Sequence, residues 1–232
     1  MKLALFDLDN TLLAGDSDYH WNEFLIDKGV VDRASHDEAN KRFYSQYEAG
    51  TIRMEDWLAF QLAPLAKRPR AELDGWHREY MAARVRPIML PKAKALLGKH
   101  AGDLRIIITA TNRFIVAPIC HEFGVDNVIA CDYEEVDGVL TGKPRGTPSF
   151  GAGKVTRLAE WLAAQGKRIE DFDESWFYSD SHNDIPLLER VTHAVAVDPD
   201  AKLRKKAEER GWPVISLRPT PSEALPQGGE KT

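Results

Sequence analysis

Two aspartates one residue apart, Asp7 and Asp9, stand directly after a run of core-type side chains, Leu3-Ala-Leu-Phe6. That run has the composition of a strand covered on both faces, as in a parallel sheet. Strand side chains repeat every two residues, so the two acids leave the strand on one face. Like charges that close repel, which calls for a cation between or beside them. A turn built on Asp9-Asn10, with Thr11 as a local cap, is the simpler alternative.

Further along the chain, three segments carry polar chemistry at comparable places. Thr109 ends a second apolar run, Leu104 to Thr109, and precedes Ala110-Thr111-Asn112, where a helix is expected to start. A hydroxyl beside free helix-start amides makes an anion seat. Lys154 follows Gly151-Ala-Gly153 at another expected helix start, where a cation opposes the macrodipole unless an anion lies nearby. This is not a Walker loop, because the glycine spacing differs and Val155 replaces the required Ser or Thr. Lys143 competes for the same role, but the helix start gives Lys154 the more rigid base. The last segment, Tyr178-Ser-Asp180-Ser-His182-Asn183-Asp184, again follows a strand.

If all these strand ends share one sheet edge, four acids and one lysine meet in a crevice. That donor set favours a hard divalent cation with oxygen ligands, most simply Mg²⁺. It would also suit attack by a carboxylate on an anionic phosphoryl group, with cations offsetting charge on the transferring oxygens. Asp7 and Asp9 could then divide nucleophilic and acid/base work from one rigid strand end.

The elements that must position these groups are legible in the pattern. After Thr11 the chain reads as helical for about 75 residues. Ser17 is the expected cap of a helix with Trp21, Phe24 and Leu25, closed by Gly29. Ser35 with Glu38 suggests a capping box for a helix carrying Phe43 and Tyr47 and ending at Gly50. Met54, Trp57, Leu58 and Leu62 form a third stripe, and Pro69 opens a fourth with Leu73, Trp76, Tyr80 and Met81. These aromatics are expected to form the core of a small helical bundle. From Pro91 strands and helices alternate, with a hairpin at Asp137-Gly138, a helix from Ile185 to Val191 and a last strand from Pro213 to Leu217.

Alternation of this kind predicts an α/β fold with a doubly wound, mostly parallel sheet. The expected division is a core of residues 1–15 and 88–218, a helical cap of 16–87 inserted over the ligand crevice, and a mobile tail of 219–232. The chain of 232 residues is 43% hydrophobic and 29% charged, ordinary for a soluble globular protein. A formal charge of −5 argues against general binding to nucleic acid or acidic membranes. Two cysteines, Cys120 and Cys131, are too few for a disulfide framework, and no apolar segment reaches the length of a membrane span or resembles a signal peptide. A cytoplasmic protein is expected.

Asp7-Leu-Asp9-Asn-Thr11, Thr109, Gly153-Lys154 and Asp180-Ser-His-Asn-Asp184, in that order and over nearly the whole chain, resemble the haloacid dehalogenase superfamily. The helical insert after the first motif looks like the type 1 cap of its phosphoserine-phosphatase-like branch. The resemblance implies a Rossmann-like core, Asp7 as nucleophile and Asp9 as general acid/base. It implies that Thr109, Ala110, Thr111, Asn112, Lys154 and Asn183 surround the phosphoryl group. Asp7, the Asp9 carbonyl, Asp180 and Asp184 would hold or support Mg²⁺. An acid at Asp9 implies cleavage of a C–O–P ester, with a small phosphorylated metabolite as partner and no obligate protein partner.

The likeness departs from phosphoserine phosphatases in the phosphate loop and in the cap. Thr109-Ala110-Thr111 replaces their usual Ser-Gly-Gly. Asp16 falls where they carry an amine-binding glutamate, and Ala59 where they carry a carboxylate-binding arginine. A methyl cannot make that bidentate contact. An amino-alcohol phosphate is therefore the expected substrate, with Arg53 a candidate contact in the cap. A phosphoserine phosphatase, a phosphotransferase, a receiver-type signalling module and a silent phosphate-binding scaffold of the same fold are the alternatives. Receivers are about half this length and lack a helical insert.

Overall fold

A four-residue strand, β1 (Leu3–Phe6), takes the middle of the sheet. In the computed structural model, which describes residues 1–48 and 51–220, it pairs in parallel with β2 (Leu104–Asn112) and β5 (Ser175–Ser179). The sheet continues through β3 (Val128–Val136) and β4 (Val139–Arg145) on one side, and β6 (His193–Val197) and β7 (Val214–Ile215) on the other. The order is β4-β3-β2-β1-β5-β6-β7, parallel except for the β3–β4 hairpin. Asp137 and Gly138 both adopt positive φ, as the two-residue hairpin turn requires.

Burial on both faces explains why β1 reads as an unbroken apolar run. Leu3 and Leu5 face one core, shared with Ile106, Ile108 and Phe177 and covered by α7 (Ala152–Ala163), the short α8 (Ile185–Leu188) and α9 (Ala201–Arg210). Ala4 and Phe6 face the other core, covered by α5 (Pro91–Lys99) and α6 (Arg113–Glu122). α8 stops at Leu188, short of the expected Val191.

Between β1 and α5 lie α1 (Ser17–Asp27), α2 (Arg33–Glu48), α3 (Met54–Leu62) and α4 (Arg70–Tyr80), the last running into a π-helical turn at Met81–Val85. They do not form one independent bundle. Trp21, Phe24, Trp76 and Tyr80 join the same core as Ala4 and Phe6, so α1 and α4 pack directly over the sheet. Trp21 is fully buried, with Tyr80 at 4.9 Å and Phe114 at 5.6 Å between ring centroids. Phe43, Trp57 and Phe60 make a satellite ring cluster between α2 and α3.

Two expected caps are displaced. Asp16, not Ser17, caps α1 and accepts from the Tyr19 amide at 2.9 Å, while the Ser17 amide is committed elsewhere. Asp32, not Ser35, begins α2, accepting from the Ser35 amide at 2.9 Å. In each case a carboxylate at the helix start wins over a neighbouring serine hydroxyl, as the macrodipole favours. The strand expected to end at Thr109 runs further. β2 runs on through a register irregularity to Asn112, which caps α6 by accepting from the Ile115 amide. The expected end of α2 at Gly50, the Tyr47 side chain and the tail beyond Thr220 lie outside the described residues. Among the described residues no helix is long and apolar enough to cross a membrane.

Trp21 ties the inserted helices to the sheet, so Trp21→Ala is expected to remove about 3–5 kcal/mol of stability, read as the shift in a urea unfolding midpoint.

Candidate active site

The parallel strands deliver their polar ends to one rim. Asp7 leaves β1 with its amide bonded to the Tyr178 carbonyl of β5, and Asp180 follows β5 directly. Lys154 lies in the first turn of α7 and its side chain is 3% exposed. Gly153 permits this approach, because a Cβ there would meet the Pro148 carbonyl oxygen at 2.1 Å. The Lys154 ammonium donates to Asp7 Oδ1 at 2.8 Å and to Asp184 Oδ2 at 2.7 Å. Burial pulls that ammonium down, but Asp184 and Asp7 outweigh it and hold Lys154 above the ordinary lysine range. The helix-start conflict expected for this lysine is thus met by two carboxylates.

Each acid has a distinct environment. Asp184 is pushed up to about 6 by burial and by Asp7, against the pull of Lys154, and also accepts from Ser179 Oγ at 2.7 Å. Asp180 is pushed up to about 8 by burial and by the negative charge of Asp7. Thr11 holds it: Thr11 Oγ1 donates to Asp180 Oδ1 at 3.0 Å and accepts from the Asp180 amide at 3.1 Å. Asp9 is pushed up to about 6, chiefly by burial and then by Asp16. Its Oδ1 accepts from the Ser17 amide at 2.6 Å and its Oδ2 from Thr111 Oγ1 at 2.8 Å, with Thr109 Oγ1 at 3.5 Å. Thr109 also accepts from the Thr111 amide at 3.2 Å.

These groups open into a cleft of about 700 Å³. Its floor includes Asp7, Asp9, Thr109, Ala110, Thr111, Asn112, Lys154, Asp180, Asn183 and Asp184. The inserted helices supply Asp16, Asp18, Asn22, Asp37 and Asn40, with Tyr19, Phe43 and Trp57. Of the sequence candidates, Arg53 is not brought in. It is 73% exposed, pairs with Asp56 and lies outside the lining. Lys143 is likewise exposed, beside Glu134. Cys120 and Cys131 are buried free thiols away from the lining.

Thr11, expected only as a local cap, and Ser179 and the Ser17 amide, which carry no sequence signal, also hold the acids of the site. Small hydroxyl residues near strand ends are too common to single out, and a backbone donor leaves no trace in side-chain patterns. Asp18 and Asn22 were also missed, although their i, i+4 spacing places them on one helix face.

A hard cation suits the acids at the rim. Asp7 and Asp180 are crowded oxygen donors whose mutual repulsion raises Asp180, and one buried lysine serves Asp7 and Asp184. Among the described residues no three acidic, histidine or cysteine side chains close into a full metal cage. Mg²⁺ is typically held by one or two carboxylates with several waters retained, so this donor set fits it.

Comparison with known proteins agrees with this geometry. A family profile of haloacid dehalogenase-like hydrolases matches residues 4–189. A histidinol-phosphatase of Neisseria meningitidis is 46% identical over 94% of this chain and 99% of its own length. A phosphoserine phosphatase of Mycobacterium tuberculosis is 30% identical over 93% of this chain and 70% of its own. Among solved structures, a protein of unknown function from Bordetella pertussis superposes with a TM-score of 0.88 at 46% identity, covering 94% of this chain and 99% of the other. A phosphoserine phosphatase carrying a phospho-aspartyl intermediate analogue superposes at 0.63 and 20% identity, over 94% and 93%, a likeness of fold. The chain belongs to the haloacid dehalogenase-like hydrolases, as a phosphatase of their phosphoserine-phosphatase-like branch.

Proposed function

We propose that this phosphatase is Mg²⁺-dependent and cleaves an amino-alcohol phosphate, with histidinol phosphate the leading substrate, through a phosphorylated Asp7. The observation that carries the reading is the buried Lys154 bridge to Asp7 and Asp184 beneath a cleft whose upper wall is acidic and aromatic. Asp7, the Asp9 carbonyl and Asp180 would hold Mg²⁺, with Asp184 supporting it. Bound there, the ion would neutralise charge on the phosphoryl oxygens.

This chain's residues divide the remaining work. Lys154 fixes Asp7 Oδ1, leaving Oδ2 to attack phosphorus as the ester oxygen departs. Thr109 and the helix-start amides of α6 receive phosphoryl oxygens. Asp9, raised by burial, gives its proton to the leaving oxygen and then takes one from the water that opens the aspartyl-phosphate. The substrate assignment rests on the wall. Among the described lining residues the only basic ones are Lys41 and Lys154, so no arginine is present to fork a carboxylate. Asp16, Asp18 and Asp37 suit a cationic leaving group, and Tyr19, Phe43 and Trp57 suit a planar ring. The 46% identical histidinol-phosphatase supports the same choice.

Asp7→Asn is expected to lower turnover of p-nitrophenyl phosphate at least ~1,000-fold with the unfolding midpoint retained, and activity in the variant would remove Asp7 as nucleophile. In wild-type protein with Mg²⁺, kcat/KM for histidinol phosphate should exceed that for phosphoserine at least ~10-fold. Equal values would remove the substrate assignment.

The acid cluster also sets a pH dependence. Asp180 and Asp184 bind protons more tightly folded than unfolded, so their contribution is full at low pH and is lost as pH rises through about 6 and then about 8. In EDTA, Tm should therefore fall between pH 6 and pH 9, and added Mg²⁺ should flatten that slope. A slope indifferent to Mg²⁺ would count against the metal site.

A further inference from the structure

The helix α1 presents two buried acceptors that take no part in the phosphoryl-transfer steps described above. Asp18 is 8% exposed and Asn22 is 4% exposed, and both line the cleft one helical turn apart. Asp18 Oδ2 accepts from Gln61 Nε2 of α3 at 2.6 Å. Asp18 Oδ1 and Asn22 Oδ1 have no protein partner. A buried acceptor left unmade costs about 1–3 kcal/mol, more when charged. Burial, and the facing charges of Asp16 and Asp9, push the Asp18 carboxyl well up. Among the described residues no lysine, arginine or histidine is paired with it.

Asp16 differs. Its carboxylate is committed to capping α1 through the Tyr19 amide. The orphaned oxygens are acceptors, so the group that completes them must donate. A donor that is also positive would supply the missing counter-charge and favour the ionised form of this carboxyl.

Building on the phosphatase reading, we propose that Asp18, oriented by Gln61 and flanked by Asn22, is a subsite that binds a positively charged nitrogen of the leaving group. The ligand class is an ammonium or imidazolium carried on the alcohol side of the ester. The site lies on the inserted helices, whereas the phosphoryl groups bind at the sheet rim, so it acts on choice of substrate. Gln61 contributes as a positioning residue, fixing one carboxylate oxygen so that the other is presented.

The test measures kcat/KM for histidinol phosphate and for p-nitrophenyl phosphate, whose leaving group carries no positive charge, with Mg²⁺, in wild type and Asp18→Asn. The ratio of the two values is expected to fall at least ~10-fold in the variant, the weight of one charged hydrogen bond. A ratio within twofold of wild type overturns the subsite, whether both activities fall together or neither does. Should Asp18→Asn fail to fold, Asn22→Leu carries the same expectation of a falling ratio and the same overturning result. Wild-type protein that hydrolyses the aryl ester without preferring histidinol phosphate or 2-aminoethyl phosphate overturns the subsite while the phosphatase reading stands. Wild-type protein that hydrolyses no phosphomonoester overturns both.

Discussion

One buried ammonium organises this molecule. Lys154 sits between Asp7 and Asp184 with all three side chains nearly sealed from water. Charges so placed are costly unless paired, and removing one partner of such a set costs about 3–5 kcal/mol. The arrangement spans the fold, because Asp7 follows the central strand, Lys154 opens α7 and Asp184 precedes α8. The same bridge fixes the orientation of Asp7, so folding and the presentation of the nucleophile candidate depend on one contact. Gly153 is part of this constraint. Any Cβ there would collide with the Pro148 carbonyl and move the lysine with its helix.

A second constraint joins the inserted helices to the same rim. The first amide of α1, from Ser17, is spent on Asp9, while Asp16 takes over the cap. A helix start thus holds the acid/base candidate, and the positive end of its dipole favours the ionised carboxylate. Burial and Asp16 push the other way. The outcome, near 6, suits a group that must both give and receive a proton near neutrality. Because α1 is welded to the sheet through Trp21 and Tyr80, this contact has a rigid support.

How much of this was legible in the sequence follows from what kind of signal each feature leaves. The doubly wound sheet was readable because β1, β2 and β5 are two-face-buried apolar runs, and the hairpin because Asp137-Gly138 has turn chemistry that few other pairs share. That Asp7, Asp9, Lys154, Asp180 and Asp184 meet was inferable once the strand ends were assumed to share a rim. The geometry brings them together. Caps were read less well, since Ser17 and Ser35 each have an aspartate close by and only three-dimensional competition decides. The inserted aromatics were expected to pack among themselves. Trp21 and Tyr80 instead found the larger core, where the sheet face adds its apolar area to that of the inserted helices.

The proposed substrate preference rests on the sign of the cleft wall. An arginine fork stabilises a planar anion by two parallel bonds, and among the described residues lining the cleft there is no arginine to form one. A wall of acids does the reverse. In a cleft that already receives a phosphate dianion, unpaired carboxylates above it would repel a simple anionic ester, because screening is weak where water is thin. On the proposed reading the substrate carries its own compensating positive charge at the end away from phosphorus. Discrimination would then arise from repulsion of the wrong ester as much as from attraction of the right one. An amino-alcohol phosphate meets that condition, and an amino-acid phosphate with an extra carboxylate does not.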